Sequence, residues 1–125
     1  MRKYSAFTLL ELLIVIAIIG ILASLATVSY SSAQRRARDS QRQADLKAIQ
    51  NAMEQYYADY DGNYPLTCDG IGGAQSPSGE SYLPTGLPTD PKSGEEYEGN
   101  CTNAGYSFSV DLESSEENFV VSNLQ

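Results

Sequence analysis

One charged side chain, Glu11, lies in the largely apolar stretch AFTLLELLIVIAIIGILAS, which covers residues 6–24. A carboxylate held deep in a bilayer costs about 2.5–3.5 kcal/mol on membrane-insertion scales. A charge retained at this position therefore indicates a specific contact for Glu11. The alternative is a side chain that reaches the lipid headgroups and has no partner.

The two cysteines, Cys68 and Cys101, lie among Gly, Asn and Thr residues, which are typical of surface loops. An even number of cysteines in an exported domain predicts one disulfide, and here only one pairing exists. The alternative, two unrelated buried thiols, is typical of a cytosolic protein.

Carboxylates in turns are the remaining candidates for chemistry. The segment DLESSEEN, residues 111–118, offers oxygen ligands to a hard cation such as calcium, with Asp111, Glu113 and Glu116 as candidates. Its spacing matches no EF-hand, and we otherwise predict neither a metal nor another cofactor. Because the sequence contains no histidine, it lacks the usual acid–base residue of catalytic triads and most zinc sites. We predict that the protein is not an enzyme.

The charge of the chain, −8 in total, is unevenly distributed. Seven of the eight basic residues precede residue 49, and thirteen of the sixteen acidic residues follow residue 48. Such an acidic C-terminal part is a poor partner for nucleic acid, and we expect no such partner. Within the basic part, Arg42 and Asp45 have the i,i+3 spacing of a weak surface pair.

Apart from Glu11, residues 7–28 form an uncharged run of twenty-two positions, long enough for a helix that crosses a bilayer. A short basic head, MRKYSA, precedes it. One interpretation is a secretory signal peptide cut after Ala26 or Ala33, although such peptides usually have apolar runs of about 7–15 residues. An uncleaved signal anchor is another interpretation.

The helical pattern continues beyond this run, since no Pro or Gly occurs between residues 31 and 60. Apolar residues at spacings of three or four predict an amphipathic stripe. The stripe comprises Leu46, Ile49, Met53, Tyr56 and Tyr60. Gly62 is predicted to take the left-handed C′ position that ends the helix.

The C-terminal part begins with loop chemistry, since residues 69–81 are rich in Gly and Ser and predict an irregular loop. Apolar and polar residues alternate over residues 106–113, which predicts a half-buried strand. Residues 119–124 predict the returning strand of a hairpin, and a third strand is expected near residues 96–98. The apolar face of the hairpin should pack on the helix stripe.

The stretch from Ala6 to Ser24, with the short basic head before it, resembles the N-terminus of type IV pilins and type II secretion pseudopilins. The resemblance implies that prepilin peptidase cuts between Ala6 and Phe7 and that the new amine of Phe7 is methylated. It also implies that Glu11, the fifth residue of the mature chain, is an assembly contact. Ala6 departs from the family pattern, where Gly is usual, and Val28 stands where many members have a helix-bending Pro.

The chemistry of the predicted cut supports this role for Glu11. A free α-amine has a pKa near 7.7–8.0 and is cationic at neutral pH. Glu11 lies one helical turn from this amine in its own chain. If subunits stack with a short axial offset, Glu11 could instead pair with the amine of a neighbour. Such a pair would set the register, because an unpaired charge in that setting is heavily penalised.

A second segment, LPTDPKSGEEYE at residues 87–98, resembles a turn of the major pseudopilins of type II secretion. Members of that group bind calcium in a C-terminal loop and generally lack a cysteine pair. Many type IV pilins, in contrast, close a C-terminal loop with a disulfide. The resemblance therefore leaves both groups open.

We predict an α+β, pilin-like fold in which a long N-terminal helix packs on a small C-terminal antiparallel sheet. The expected segments are a leader peptide (1–6), a transmembrane and assembly half of the helix (7–30), an amphipathic half (31–60) and a loop-rich globular domain with a β-hairpin (61–125).

The expected function is that of a structural subunit of a type IV pilus-like or type II secretion pseudopilus filament. The subunit would wait in the bacterial inner membrane, with its C-terminal domain outside the cytoplasm, and then join an extracellular or periplasmic filament. Its expected partners are copies of itself, minor pilins, prepilin peptidase, the inner-membrane assembly machinery and membrane lipid. The alternative is an unprocessed, membrane-anchored extracytoplasmic binding domain. The arginines after the span oppose an orientation with the C-terminal domain outside the cytoplasm, but the cysteine pair and the length of the domain favour it.

Overall fold

The structure, a computed structural model, describes residues 7–74 and 76–124, and the leader predicted at residues 1–6 lies outside them. Two helices are followed by three strands: α1 (Leu9–Asp59), α2 (Gly70–Gly73), β1 (Gly99–Thr102), β2 (Gly105–Asp111) and β3 (Asn118–Ser122). The predicted α+β class, with a long N-terminal helix and a small antiparallel sheet, is confirmed. The chain divides into two units, with the boundary between Gln34 and Arg35.

The first unit consists of the N-terminal part of α1. Every side chain described for it is exposed, and its large apolar side chains range from 84% exposed at Phe7 to 48% at Val15. By length and composition alone, α1 is apolar enough in this part to cross a membrane. An apolar surface on all sides of a helix is not stable in water, so this unit requires a cover that the described chain does not supply.

The second unit has a hydrophobic core. Helix α1 contributes Leu46, Ile49 and Met53 of the predicted stripe, together with Ala52, and the remainder come from the loops and strands. Of the other two stripe residues, Tyr56 is partly buried and Tyr60 is exposed. The core comprises Leu46, Ile49, Ala52, Met53, Tyr64, Ile71, Leu83, Tyr97, Tyr106, Phe108 and Val121. The expected packing of the strands on the helix stripe is therefore confirmed.

The sheet has the order β1-β2-β3, and both pairings are antiparallel. In β2 the aromatic residues Tyr106 and Phe108 are buried between exposed serines, as the alternation predicts. The prediction of a third strand at residues 96–98 is wrong in position. Glu96 forms only an isolated bridge with Thr89, and β1 begins at Gly99, where a Cβ atom would lie 2.4 Å from the Phe108 ring.

The C-terminus of α1 is closed by two residues with positive φ. Asp61 has a φ of 53° and Gly62 a φ of 74°, and the Gly62 amide donates a hydrogen bond to the carbonyl of Tyr57 (3.0 Å). This bond spans five residues, so the left-handed C′ position belongs to Asp61 and Gly62 is C″. The predicted stop is confirmed, and its assignment to Gly62 is one residue late.

The loop predicted at residues 69–81 contains the single-turn helix α2, which the sequence did not indicate. Ile71 lies within this turn and is fully buried in the core. Just before α2, Cys68 forms a disulfide with Cys101 of β1, with their Cα atoms 5.3 Å apart. The predicted bridge is confirmed. In the chain-entropy description it stabilises the domain by about 3–4 kcal/mol.

Candidate functional site

The N-terminus of α1 is closed by Thr8 and Glu11. The amide and the hydroxyl of Thr8 donate hydrogen bonds to Oε2 of Glu11 (2.8 and 2.9 Å), and the Glu11 amide donates to the Thr8 hydroxyl (3.2 Å). This is the reciprocal arrangement of a capping box, with Thr8 at N-cap and Glu11 at N3. The Thr-x-x-Glu spacing at residues 8–11 carries the signal for this cap, which was not predicted.

The cap gives Glu11 hydrogen-bond partners within its own chain but does not neutralise its charge. The hydrogen bonds from Thr8 reach only one of the two carboxylate oxygens of Glu11. A carboxylate has about four acceptor positions, so capping is compatible with a second contact to an external cation. Phe7, the residue after the predicted cut, is 84% exposed, and Ala6 lies outside the described residues.

Several hydroxyl groups of the first unit bind to carbonyls of their own helix. Ser24 donates to the carbonyl of Ile21 (2.8 Å), and Thr27 donates to the carbonyl of Ser24 (2.9 Å). Such local bonds satisfy hydroxyls without a partner helix or water. Over residues 9–27 the described surface of the helix is therefore mostly apolar, and Glu11 is its charged side chain.

A set of six charged side chains lies in the second unit, and we call it the Arg42 cluster. Its members are Arg38, Asp39, Arg42, Asp90, Lys92 and Glu113. The side chain of Arg42 is only 5% exposed. Its guanidinium contacts the carboxylates of Asp39 (3.0 Å), Asp90 (3.3 Å from Nη2) and Glu113 (2.9 Å). One cation thus joins α1 to two separate loops.

Glu113, in the loop between β2 and β3, is the acid with the most cationic partners. Arg38 binds it through two parallel hydrogen bonds of 2.9 and 2.7 Å, and the Lys92 ammonium lies 3.3 Å from Oε2. Hydrogen bonds from Arg38, and then from Arg42 and Lys92, lower the pKa of Glu113 to about 2. The carboxylate is therefore ionised at neutral pH and fixes its loop to α1.

The other two acids of the cluster also bind backbone amides. Asp39 accepts hydrogen bonds from the amides of Glu113 and Ser114, both at 2.8 Å. Burial opposes the ionisation of Asp39, but its hydrogen bonds outweigh that effect, and its pKa lies below the usual value. Asp90 accepts from the amides of Lys92 and Ser93 (2.8 and 2.9 Å).

The Arg42 cluster was not predicted, and the expected surface pair of Arg42 with Asp45 is wrong. Arg42 is buried against Asp39, while Asp45 accepts a hydrogen bond from the Tyr97 hydroxyl (3.0 Å). Asp39 and Arg42 continue the spacing of three and four residues that leads to Leu46. Extending the apolar stripe towards the N-terminus would have placed both charges on the buried face.

The calcium candidates are not brought together. Glu113 is bound by the cations of the Arg42 cluster, whereas Asp111 and Glu116 are exposed. Over residues 7–74 and 76–124, no group of three or more His, Cys, Asp or Glu side chains has the geometry to hold a metal ion. Calcium requires six to eight oxygen ligands, and this donor set does not fit it.

Tyrosine hydroxyls provide a second set of contacts between α1 and the loops. Three acids of the helix accept them: Asp45 from Tyr97 (3.0 Å), Glu54 from Tyr64 (3.1 Å) and Tyr106 (2.9 Å), and Asp59 from Tyr82 (2.6 Å). Burial, together with the hydrogen bond to Glu54, raises the pKa of Tyr64 to about 12. The phenols thus remain neutral donors and help to orient the loops on the helix.

Comparison with known proteins identifies relatives for both units. Residues 1–27 match the family described as the prokaryotic N-terminal methylation motif. The chain is 35% identical over 99 residues to type II secretion system core protein G of Aeromonas hydrophila. The aligned segment covers 72% of this chain and 68% of the relative. It is 32% identical over 106 residues to core protein G of Dickeya chrysanthemi, covering 78% and 68%.

A type IV pilin also matches, over a shorter segment. The type IV major pilin protein PilA of Myxococcus xanthus is 42% identical over 55 residues, which is 44% of this chain and 25% of that protein. No solved structure gives a significant match.

Proposed function

This chain belongs to the family of type IV pilins and type II secretion pseudopilins, and we propose that within it the chain is a core subunit of a pseudopilus-type filament. Its relatives are structural subunits, and the chain is likewise a filament subunit and not an enzyme. The extent of the matches supports the pseudopilus type. Matches to core protein G extend over as many as 106 residues, whereas those to the type IV major pilins PilA and PilE1 cover 55 and 72.

The first unit carries this proposal. It is a helix with exposed apolar side chains on all sides and one capped carboxylate near its beginning. In the membrane, lipid would cover this surface, and in the filament the same surface of neighbouring subunits would replace the lipid. A helix that only anchors a domain needs Glu11 for no more than the cap, which a glutamine can also form, whereas a helix that must pack at one register has a use for its charge.

Processing and topology complete the proposal. Prepilin peptidase would cut before Phe7, and the new amine would pair with Glu11 of a neighbouring copy. The subunit would be anchored in the inner membrane with its second unit outside the cytoplasm, where a disulfide such as Cys68–Cys101 is stable. Other pilins, the assembly machinery and membrane lipid would be its further partners.

The mature N-terminus tests this proposal. N-terminal sequencing of the membrane-bound protein should begin Phe-Thr-Leu, with a methylated first residue. A start after Ala26 or Ala33 would instead identify an ordinary signal peptide. A start at Met1 would identify the unprocessed membrane-anchored domain. The variant Ala6→Gly, which restores the usual residue before the cut, should be processed at least as completely as the natural chain.

A further inference from the structure

The position of Arg42 resembles that of a bound metal ion more than that of an ordinary surface cation. Three carboxylates from three separate segments converge on it: Asp39 from α1, Asp90 from the turn at residues 90–94, and Glu113 from the loop at residues 112–117. The guanidinium is almost completely buried, with 5% of the side chain exposed. A planar fork with five N–H donors is suited to joining several carboxylates at once.

Besides binding Arg42, the carboxylates of Asp39 and Asp90 also hold backbone amides of a loop or turn in place. Asp39 accepts the amides of Glu113 and Ser114, and so determines the course of the loop after β2. Asp90 accepts two amides of its own turn, and its pKa is held far below the usual range, chiefly by Arg42. Removal of the central cation would therefore release two loops, and not only one ion pair.

The charges of the cluster balance without any added ion. Its three acids face Arg42, Arg38 and Lys92, so its net charge is zero. A divalent cation at this place would lie a few ångströms from a buried guanidinium, where repulsion between like charges is strong. It would also have to displace hydrogen bonds that already occupy the carboxylate oxygens.

We infer that Arg42 does the work of a structural cation in this protein, and that the fold of the second unit therefore requires no calcium. In this respect the chain differs from the major pseudopilins that it resembles, which bind calcium in a C-terminal loop. The inference concerns the folding of one unit in a single subunit. It is therefore tested separately from filament assembly and does not depend on it.

The first arm of the test uses the unaltered full chain in detergent micelles. Thermal unfolding is followed by the near-ultraviolet circular dichroism of the tyrosines, in EGTA and then in calcium at about 5 mM. A site with a Kd of about 1 mM, typical of weak extracellular modules, would raise the Tm by roughly 4–8 °C under these conditions. The expected shift is less than about 2 °C. Terbium added as a luminescent calcium probe should give no tyrosine-sensitised emission.

The second arm compares two variants that lose the same charge from α1. Arg42→Gln removes the buried cation and should lower the Tm by at least about 10 °C, because it leaves buried carboxylates unpaired. Lys47→Gln, at an exposed position of the same helix, should stay within about 2 °C of the natural chain. Arg42→Lys should lie between them, since one ammonium cannot bind three carboxylates as a planar fork does.

Two results would overturn the inference. One is a rise of several degrees in the Tm of the unaltered chain when calcium is added, or terbium emission from it. The other is an Arg42→Gln chain as stable as Lys47→Gln. If Arg42→Gln does not fold at all, the large expected loss is met, and the calcium arm on the unaltered chain still decides the question.

Discussion

The two units of this chain differ in where their side chains find partners. Over the described part of the first unit every side chain is exposed, and the hydrogen bonds of Thr8, Ser24 and Ser29 join residues three or four positions apart. In the second unit the core is closed, and ion pairs and a disulfide join segments far apart in the sequence. The second unit can thus be stable by itself, whereas the first acquires its partners only from lipid or from other copies.

The largest contrast in stability is expected between two large-to-small changes. Phe108→Ala, at a position 1% exposed in the second unit, should lower the free energy of unfolding by about 3–5 kcal/mol. Leu13→Ala, at a position 56% exposed in the first unit, should change it by less than about 0.5 kcal/mol. Urea denaturation of the full chain in micelles measures both. Equal losses would contradict the proposed independence of the second unit.

The disulfide should have the next largest effect, again confined to the second unit. The double variant Cys68→Ser, Cys101→Ser should lose about 3–4 kcal/mol of unfolding free energy, because the unbridged chain gains entropy on unfolding. Reduction of the natural protein should give a similar loss and should leave the double variant unchanged. Helix content assigned to α1 in micelles should persist in both. Two alkylatable thiols in the exported natural protein would show that the bridge is absent there.

Protonation of the acids in the Arg42 cluster should cause a loss of stability at low pH that is smaller than the loss from removing the disulfide. Their pKa values are lower in the folded chain than in the unfolded chain, so the stabilisation is complete above the unfolded values near 4. It should disappear as the pH falls from about 4 through the folded pKa of Glu113, about 2. The urea midpoint should therefore be constant from neutral pH to about 5 and then decrease. A midpoint that stays constant to pH 2 would contradict these shifts.

The predictable parts of this structure are those in which a local pattern determines the result. The spacing of the helix stripe predicted the buried face of α1, and alternation predicted the buried aromatics of β2. Two cysteines with only one possible pairing predicted the disulfide. In each case the residues that carry the signal are the residues that make the contact.

The parts that escaped prediction depend on contacts between distant segments. Asp39 accepts hydrogen bonds from amides of a loop that begins more than seventy positions later, and no local sequence pattern predicts such a contact. Ile71 looks like part of a glycine-rich loop until the core that receives it is known. The capping box of Thr8 and Glu11 differs, because its signal was local.

The central claim is that Glu11 acts as a charge toward a neighbouring subunit and not only as a helix cap. Two variants separate these roles. Glu11→Gln retains a residue that can close the capping box but removes the charge. Thr8→Ala keeps the charge and removes the cap, at a cost of about 0.5–2 kcal/mol to the helix.

The yield of sheared filaments relative to the membrane pool of subunit, measured for these two variants, is the most direct test. We predict that Glu11→Gln accumulates in the membrane but forms almost no filament, because loss of a buried pair of about 3–5 kcal/mol weakens assembly at least about 100-fold. Thr8→Ala should still form filaments. A normal filament yield from Glu11→Gln would contradict the account.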